Sequence, residues 1–190
     1  MLADIYKTWR EKTPLWERGR ETDSERTNHL WNKQRIRDLV NEYAFACDSR
    51  SWDVLRKIYH EDIERIMKGT LDEYVKGRDA LIALHEKPAL PRKKGSQFEH
   101  RDFTKIKNLE IRHLIGTLMT RISDDDQKAW ALCHYQMALV GEENEEWEHG
   151  LHEGTYLFSF INNGDDWQFI QHLIWTNNAA NPMFGKRAEK

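Results

Sequence analysis

Two periodicities divide this chain. Between Ile36 and Tyr59, the apolar residues Ile36, Leu39, Val40, Tyr43 and Cys47 recur every three or four positions, which predicts an amphipathic helix with one buried stripe. Ser51 is the expected N-cap of a short second helix, WDVLRKIYH, whose Trp52, Leu55, Ile58 and Tyr59 share a face, so the two helices should form a hairpin. A strand pair is expected over EDIERIM and LDEYVKG, turning at Gly69. A third helix, DALIALHE, is opened by Gly77-Arg78-Asp79 and stopped by Pro88. From Ile106 the pattern changes to long segments rich in β-branched and aromatic residues: NLEIRHLIGTLMTRI, QKAWALCHYQMALV, GLHEGTYLFSFI and WQFIQHLIWT. Turn clusters at Asp124-Asp125-Asp126, Glu142-Glu143-Asn144 and Asn163-Gly164-Asp165-Asp166 separate them, so they read as an antiparallel meander. Helices first and a long, bent sheet afterwards predict an α+β domain in which the sheet curls around the helices.

The flanks follow a different logic. Residues 1–30 carry Trp9 and Trp16 among many charges, with Pro14 and Gly19 as breakers, and read as an arm that packs on the body or on a second subunit. The body is assigned to residues 31–180 and a C-terminal tail to 181–190. The proline-bearing, basic segment KPALPRKKGSQFEHRDFT is a long loop of the kind that serves as a lid or a partner contact.

Charge narrows the partners. The chain has 190 residues, with 29 Lys and Arg against 32 Asp and Glu, and its net charge of −3 is spread with both signs interspersed. That balance offers no basic face to nucleic acid or to an anionic membrane, and points to a small molecule or a protein. No apolar run approaches the roughly 20 residues needed to span a bilayer. Cys47 and Cys133 both fall in apolar segments without CxxC spacing, which supports neither a disulfide framework nor a zinc site and fits a reducing cytoplasm. Eight Trp exceed the seven Phe and six Tyr, a composition suited to a pocket for a flat, ring-bearing ligand, although Trp also fills cores and interfaces.

Candidate chemistry begins with Asp48. It falls where the first helix should stop, and a carboxylate at a helix C-terminus is disfavoured by the macrodipole by a few tenths to about 1 kcal/mol, so another interaction must hold it there. On the first long strand, period two places Leu109, Ile111, His113, Ile115, Thr117 and Met119 on one side, leaving His113 as an imidazole on an apolar face. Burial favours the neutral ring that a general base requires, and a neighbouring carboxylate, for which Asp48 is the candidate, would orient it. The alternative is a core histidine satisfied by an ordinary hydrogen bond. His172, five residues after Trp167 and on the same face as Ile170 and Ile174, could polarise a substrate oxygen, act as a second acid, or bond a backbone carbonyl. Tyr43 could present its phenol to the same cavity or serve as core. Tyr59, Tyr135, His134, His152 and Trp175 complete the candidate substrate contacts. His149 and His152 are spaced HxxH without an HExxH helix, so no metal is expected, and the absence of GxGxxG, Walker and GxSxG patterns leaves nucleotides and serine-hydrolase chemistry without support.

The segments IRDLVNEYAFACDSRSWDVLRKIYHED, VKGRDALIAL, RHLIGT, HEGTYLFSF and GDDWQFIQHLIW, in this order and spacing across residues 34–176, resemble the SnoaL-like branch of the nuclear-transport-factor-2-like superfamily. The resemblance implies a cone-shaped α+β barrel and an Asp–His dyad at Asp48 and His113, joined by Tyr43 five residues before the Asp. Where many members carry Arg five residues after the Trp of the last strand, this chain has His172, which replaces an arginine clamp by a second imidazole. The first 30 residues and the 88–105 loop have no counterpart. It further implies chemistry without cofactor or metal: a lyase that releases water or, by a retro-aldol step, a small carbonyl such as formaldehyde, or else an isomerase. The expected substrate is an aromatic or polycyclic hydroxylated molecule, lignin-derived diarylpropanes among them. Rival expectations are a non-catalytic small subunit of a ring-hydroxylating dioxygenase and a binding or dimerisation module. A homodimer or higher homo-oligomer is implied, with no nucleic acid and no membrane.

Overall fold

The computed structural model describes residues 6–7, 9–11, 22–68, 73–86, 107–143, 146–164 and 166–176. Helix α1 spans Asp23–Asp48 and begins earlier than its apolar stripe. Its start is set by a capping box: the Thr22 hydroxyl accepts the Glu25 N–H at 3.2 Å, and the Glu25 carboxylate accepts the Thr22 N–H at 2.6 Å. Ile36, Leu39, Val40, Tyr43 and Cys47 are all buried, as the three- and four-residue spacing predicts. The helix ends in a tight turn in which Arg50 takes a left-handed conformation, φ 56°. Helix α2 then spans Trp52–Ile58. Ser51 occupies its N-cap position but makes no side-chain capping bond, because its hydroxyl is paired with that of Ser49 at 2.8 Å.

Strand β1 (Tyr59–Lys68) and β2 (Glu73–Lys76) form the expected antiparallel pair, and α3 spans Arg78–Glu86. Strands β3 (Lys107–Ile122), β4 (Lys128–Glu143), β5 (Glu146–Asn162) and β6 (Trp167–Thr176) form the meander. The six-stranded order is β2-β1-β6-β5-β4-β3. The sheet is mixed rather than wholly antiparallel, since β1 lies parallel to β6. The 88–105 loop and the 181–190 tail lie outside the described residues.

Bulges curl the sheet around α1. Gly116 pairs with His134 and Met119 with Leu132, so β3 carries one extra residue there, accommodated by Thr117 at φ 48°. The parity of the strand flips at that point. Ile111, His113 and Ile115 are partly buried before the bulge, whereas Leu118 and Ile122 pack inward after it and Met119 is exposed, contrary to the unbroken alternation expected. A second shift, between Ser159 and Phe160 opposite Gln171 and Phe169, puts Ile170 out of phase with His172 and Ile174. Gly154 permits the tightest approach: a Cβ there would lie 1.9 Å from the Trp175 carbonyl oxygen and 2.9 Å from Tyr135 Cε1.

The inner face holds the main core, with Ile63, Ala131, Cys133, Phe158, Phe160 and Phe169 packed against the α1 stripe. Two polar ties fix the helix to the β5–β6 end. Trp167 Nε1–H donates to Asn32 at 3.1 Å, and the Arg35 guanidinium grips both carboxylate oxygens of Asp166. On the outer face Trp9 is buried against Leu132 and Leu157, with Trp130, Leu173 and Trp175 alongside and the Arg121 guanidinium 5.3 Å from its ring centroid.

Candidate active site

Asp48 closes α1 and faces His113 of β3. The carboxylate accepts two bonds from one residue: the backbone N–H of His113 reaches Oδ2 at 2.9 Å, and ring Nδ1–H reaches Oδ1 at 2.6 Å. These donors answer the macrodipole penalty on an acid at a helix C-terminus. The side chains are 10% and 8% exposed. With Nδ1 protonated toward the carboxylate, Nε2 keeps its lone pair, so the ring is oriented as a base. Cys47, the preceding residue, is not a rival nucleophile. Burial pushes its thiol up to about 12, and likewise that of Cys133.

Tyr43 stands beside the dyad, its ring centroid 6.1 Å from that of His113 and 5.1 Å from that of His172. Burial raises its phenol well above the ordinary value, so it acts as a hydrogen-bond donor rather than as a phenolate. His172 is 1% exposed and is ringed by Tyr43, Tyr156 and Phe158. Burial, reinforced by the Arg65 cation, holds it well below the ordinary imidazole range. That favours polarising an oxygen over service as a charged acid. Tyr135 is buried, stacked on Tyr156 at 3.8 Å, and its hydroxyl lies 3.1 Å from His152 Nδ1. Tyr59 is fully buried, with its hydroxyl 3.4 Å from His85 Nε2. Burial lowers His152 to about 4 and His85 to about 3, with His113 and Arg65 contributing to both.

Asp48, His113, Tyr43, His172, Tyr59, Tyr135 and His152 therefore converge inside the sheet, and two expected substrate contacts do not. His134 is exposed, because it alternates with the inward Tyr135 on β4. Trp175 belongs to the outer cluster with Leu132 and Leu157, out of phase with the inward Ile174 and Thr176. The side chain of His149 lies outside those described. Arg65, Glu73, His85 and Tyr156 were not singled out from the sequence. Arg65 carried a signal: it lies midway between Ile63 and Met67 in period two, which places it on the inner side of β1. His85 follows Leu81 and Ile82 at helical spacing and continues their buried face.

Elsewhere, an open depression of about 490 Å³ lined by Asp62, Glu64, Lys76, Ser159, Ile170 and Gln171 lies on the opposite side of the sheet from the dyad. On β1, His60, Glu61 and Asp62 bring ligand atoms within 4.8 Å of one another, but two of the three are exposed, as acidic surface groups commonly are.

A curled mixed sheet enclosing a helix, with a carboxylate–imidazole pair on its inner face, defines a nuclear-transport-factor-2-like, cystatin-like α+β fold. The chain belongs to the family described as the SnoaL-like domain, whose model matches residues 28–172. No curated protein matches the sequence significantly. Solved structures with the same fold include a nuclear-transport-factor-2-like protein with a cystatin-like fold from Novosphingobium aromaticivorans (TM-score 0.61, 17% identity, covering 87% of this chain and 96% of that one). They also include a type 2 hexachlorocyclohexane dehydrochlorinase, LinA (TM-score 0.60, 17% identity, 82% and 90% covered). A candidate scytalone dehydratase from N. aromaticivorans is a third (TM-score 0.56, 15% identity, 77% and 85% covered). At these identities the likeness is one of fold.

Proposed function

We propose that this protein is a cofactor-independent lyase acting on an aromatic or polycyclic hydroxylated small molecule, with His113 as general base and Asp48 as its orienting partner. The observation that carries the proposal is the pair of bonds from one histidine to one carboxylate, which fixes the tautomer and leaves Nε2 free of that carboxylate. In the dehydrating form, Nε2 takes a proton from the carbon next to the carbinol. The C–H electron pair becomes the new double bond, and the C–O bond breaks with its electrons going to oxygen. Hydrogen-bonded by Tyr43 or His172, that oxygen takes the proton now carried on His113 Nε2 and leaves as water, which returns His113 to its basic form. In the retro-aldol form, Nε2 takes the hydroxyl proton, the oxygen electrons form the carbonyl of the departing aldehyde, and the C–C electrons stay on the remaining fragment, which gains a proton.

Two of the fold neighbours carry names that denote eliminations, a dehydrochlorinase and a candidate dehydratase, and this supports the class without choosing the leaving group. The aromatic lining, with Tyr43, Tyr156 and Phe158 around His172, suits a ring-bearing substrate. The test is mass-spectrometric turnover of a panel of aryl and diaryl alcohols without added cofactor, using the wild type, Asp48→Asn and His113→Ala. Loss of water or formaldehyde that disappears in both variants is the expected result. Turnover surviving both substitutions would sink the dyad. Turnover by the isolated chain would also exclude the non-catalytic small-subunit reading.

A further inference from the structure

Three buried polar atoms outside the Asp48–His113 bonds belong to side chains on the inner face of β2, β1 and β6. Arg65 Nε, Glu73 Oε1 and His172 Nε2 have no hydrogen-bond partner among the described residues. Their backbones place them together. Arg65 pairs with Val75 of β2 on one side and with His172 of β6 on the other, and Glu73 lies two residues from Val75 on the same face. The Arg65 and Glu73 side chains are 12% and 18% exposed, and Arg65 Nη1 lies 3.6 Å from Glu73 Oε1, an ion pair too long for a hydrogen bond. Arg65 Nε and Glu73 Oε1 are thus buried without a hydrogen bond, a state native interiors generally avoid. A guest that accepts from one and donates to the other would satisfy both.

We propose that Arg65, Glu73 and His172 form a second polar subsite that takes a phenolic hydroxyl of the substrate, its oxygen accepting from Arg65 and its O–H donating to Glu73. The inference rests on the lyase reading for the word substrate and names the class of substrate more closely. Charge selects the guest. Arg65 and Glu73 compensate one another, so the subsite is close to neutral and suits a hydroxyl, whereas a carboxylate would meet Glu73 with like charge. Position supports the same class. An aromatic body reaching from the dyad to the subsite would pass the Tyr43 ring, which lies 6.1 Å from the His113 ring and 5.1 Å from the His172 ring. The neutral state of His172 fits too, since an uncharged ring neither repels Arg65 nor competes with it for the oxygen.

Binding tests this without turnover. The probes are 4-hydroxybiphenyl, its methyl ether and biphenyl-4-carboxylate, titrated calorimetrically into the wild type, Glu73→Gln and Arg65→Met, with circular dichroism to confirm folding. The phenol should bind the wild type about 10- to 100-fold more tightly than either analogue, as expected for hydrogen bonds to charged groups. Both variants should erase that preference. Equal binding of the methyl ether, tighter binding of the carboxylate, a preference that survives both substitutions, or no binding of the phenol to folded wild type would overturn the subsite. Should a variant fail to fold, the comparison of the three probes on the wild type alone still decides. Turnover that requires His113 in a protein showing no phenol preference would retain the lyase reading and discard this one.

Discussion

Replacing Asp48 by Asn separates the orienting role of the carboxylate from its bulk. The side chain accepts two bonds from His113, one from the backbone N–H at 2.9 Å and one from ring Nδ1–H at 2.6 Å, and an amide of the same shape retains only one acceptor oxygen. If that oxygen stays on Nδ1–H, the amide NH2 faces the backbone N–H, donor against donor, and the buried N–H goes unpaired at a cost of about 1–3 kcal/mol. The less costly arrangement turns the amide oxygen to the backbone and its NH2 to Nδ1. The ring proton then moves to Nε2, and the base is lost. The imidazolium formed on proton abstraction also loses its counter-charge. By analogy with orienting aspartates in hydrolase triads, kcat should fall about 10³- to 10⁴-fold, equivalent to roughly 4–5.5 kcal/mol of barrier. KM should change little, because the altered group faces His113, and Tm should stay within about 3 °C because the shape is kept. The assay is steady-state turnover on the substrate identified by mass spectrometry, with thermal unfolding in parallel. A folded Asp48→Asn protein that keeps more than about a tenth of the wild-type kcat would refute the assignment of His113 as a base held by Asp48.

Tyr43→Phe removes a hydroxyl but keeps the ring in its edge-to-face contacts with His113, His172 and Phe158; kcat should drop about 10- to 100-fold with Tm nearly unchanged, and a variant as active as the wild type would eliminate Tyr43 as the donor to the leaving oxygen. His85 and His152 are held near 3 and 4 by burial, against about 6.5 in the unfolded chain, so the unfolded state binds more protons below pH 6.5. Their contribution to stability is therefore complete above that pH and is lost as pH falls toward 4 and 3, at up to about 1.4 kcal/mol per pH unit for each ring. Urea titrations at pH 7.5, 6 and 5 should show this decline, and equal midpoints at all three would contradict it. Gly154→Ala must displace backbone, because its Cβ would lie 1.9 Å from the Trp175 carbonyl oxygen; a loss of about 2–3 kcal/mol, or roughly 4–12 °C in Tm, is expected, and an unchanged Tm would show that the strand crossing is looser than described.

Local patterns revealed what depends on near neighbours. The stripe of α1 follows from three- and four-residue spacing, and that spacing placed Tyr43 inward and Asp48 at the helix end, where both are found. His113 was reachable because strict alternation holds from Ile111 to Ile115, ahead of the bulge. Beyond it the alternation misleads. Thr117 and Met119 leave the inner face, and Ile170 falls out of step with His172, because each extra residue flips a strand and no composition signal marks where the insertion falls. His134 and Trp175 have residue types suited to a substrate contact, but each alternates with an inward neighbour, and parity keeps both off the inner face.

Arg65 failed to stand out for a different reason. A charged residue in EDIERIM reads as solvated, and its polar neighbours inside the sheet come from other strands: Glu73 on β2 and, more than a hundred positions away across a parallel junction, His172 on β6. The dyad joins a helix end to an adjacent strand, and each half is recognisable alone. The Arg65–Glu73–His172 group has no such independently recognisable halves, because none of its members implies the other two until register brings three strands together. A site built this way can change its specificity by a register-preserving substitution at a single position without disturbing the Asp48–His113 bonds. If Glu73 serves the proposed subsite, Glu73→Gln should alter which ring substituents are accepted while the tautomer of His113 stays as it is, because Glu73 makes none of the Asp48–His113 bonds.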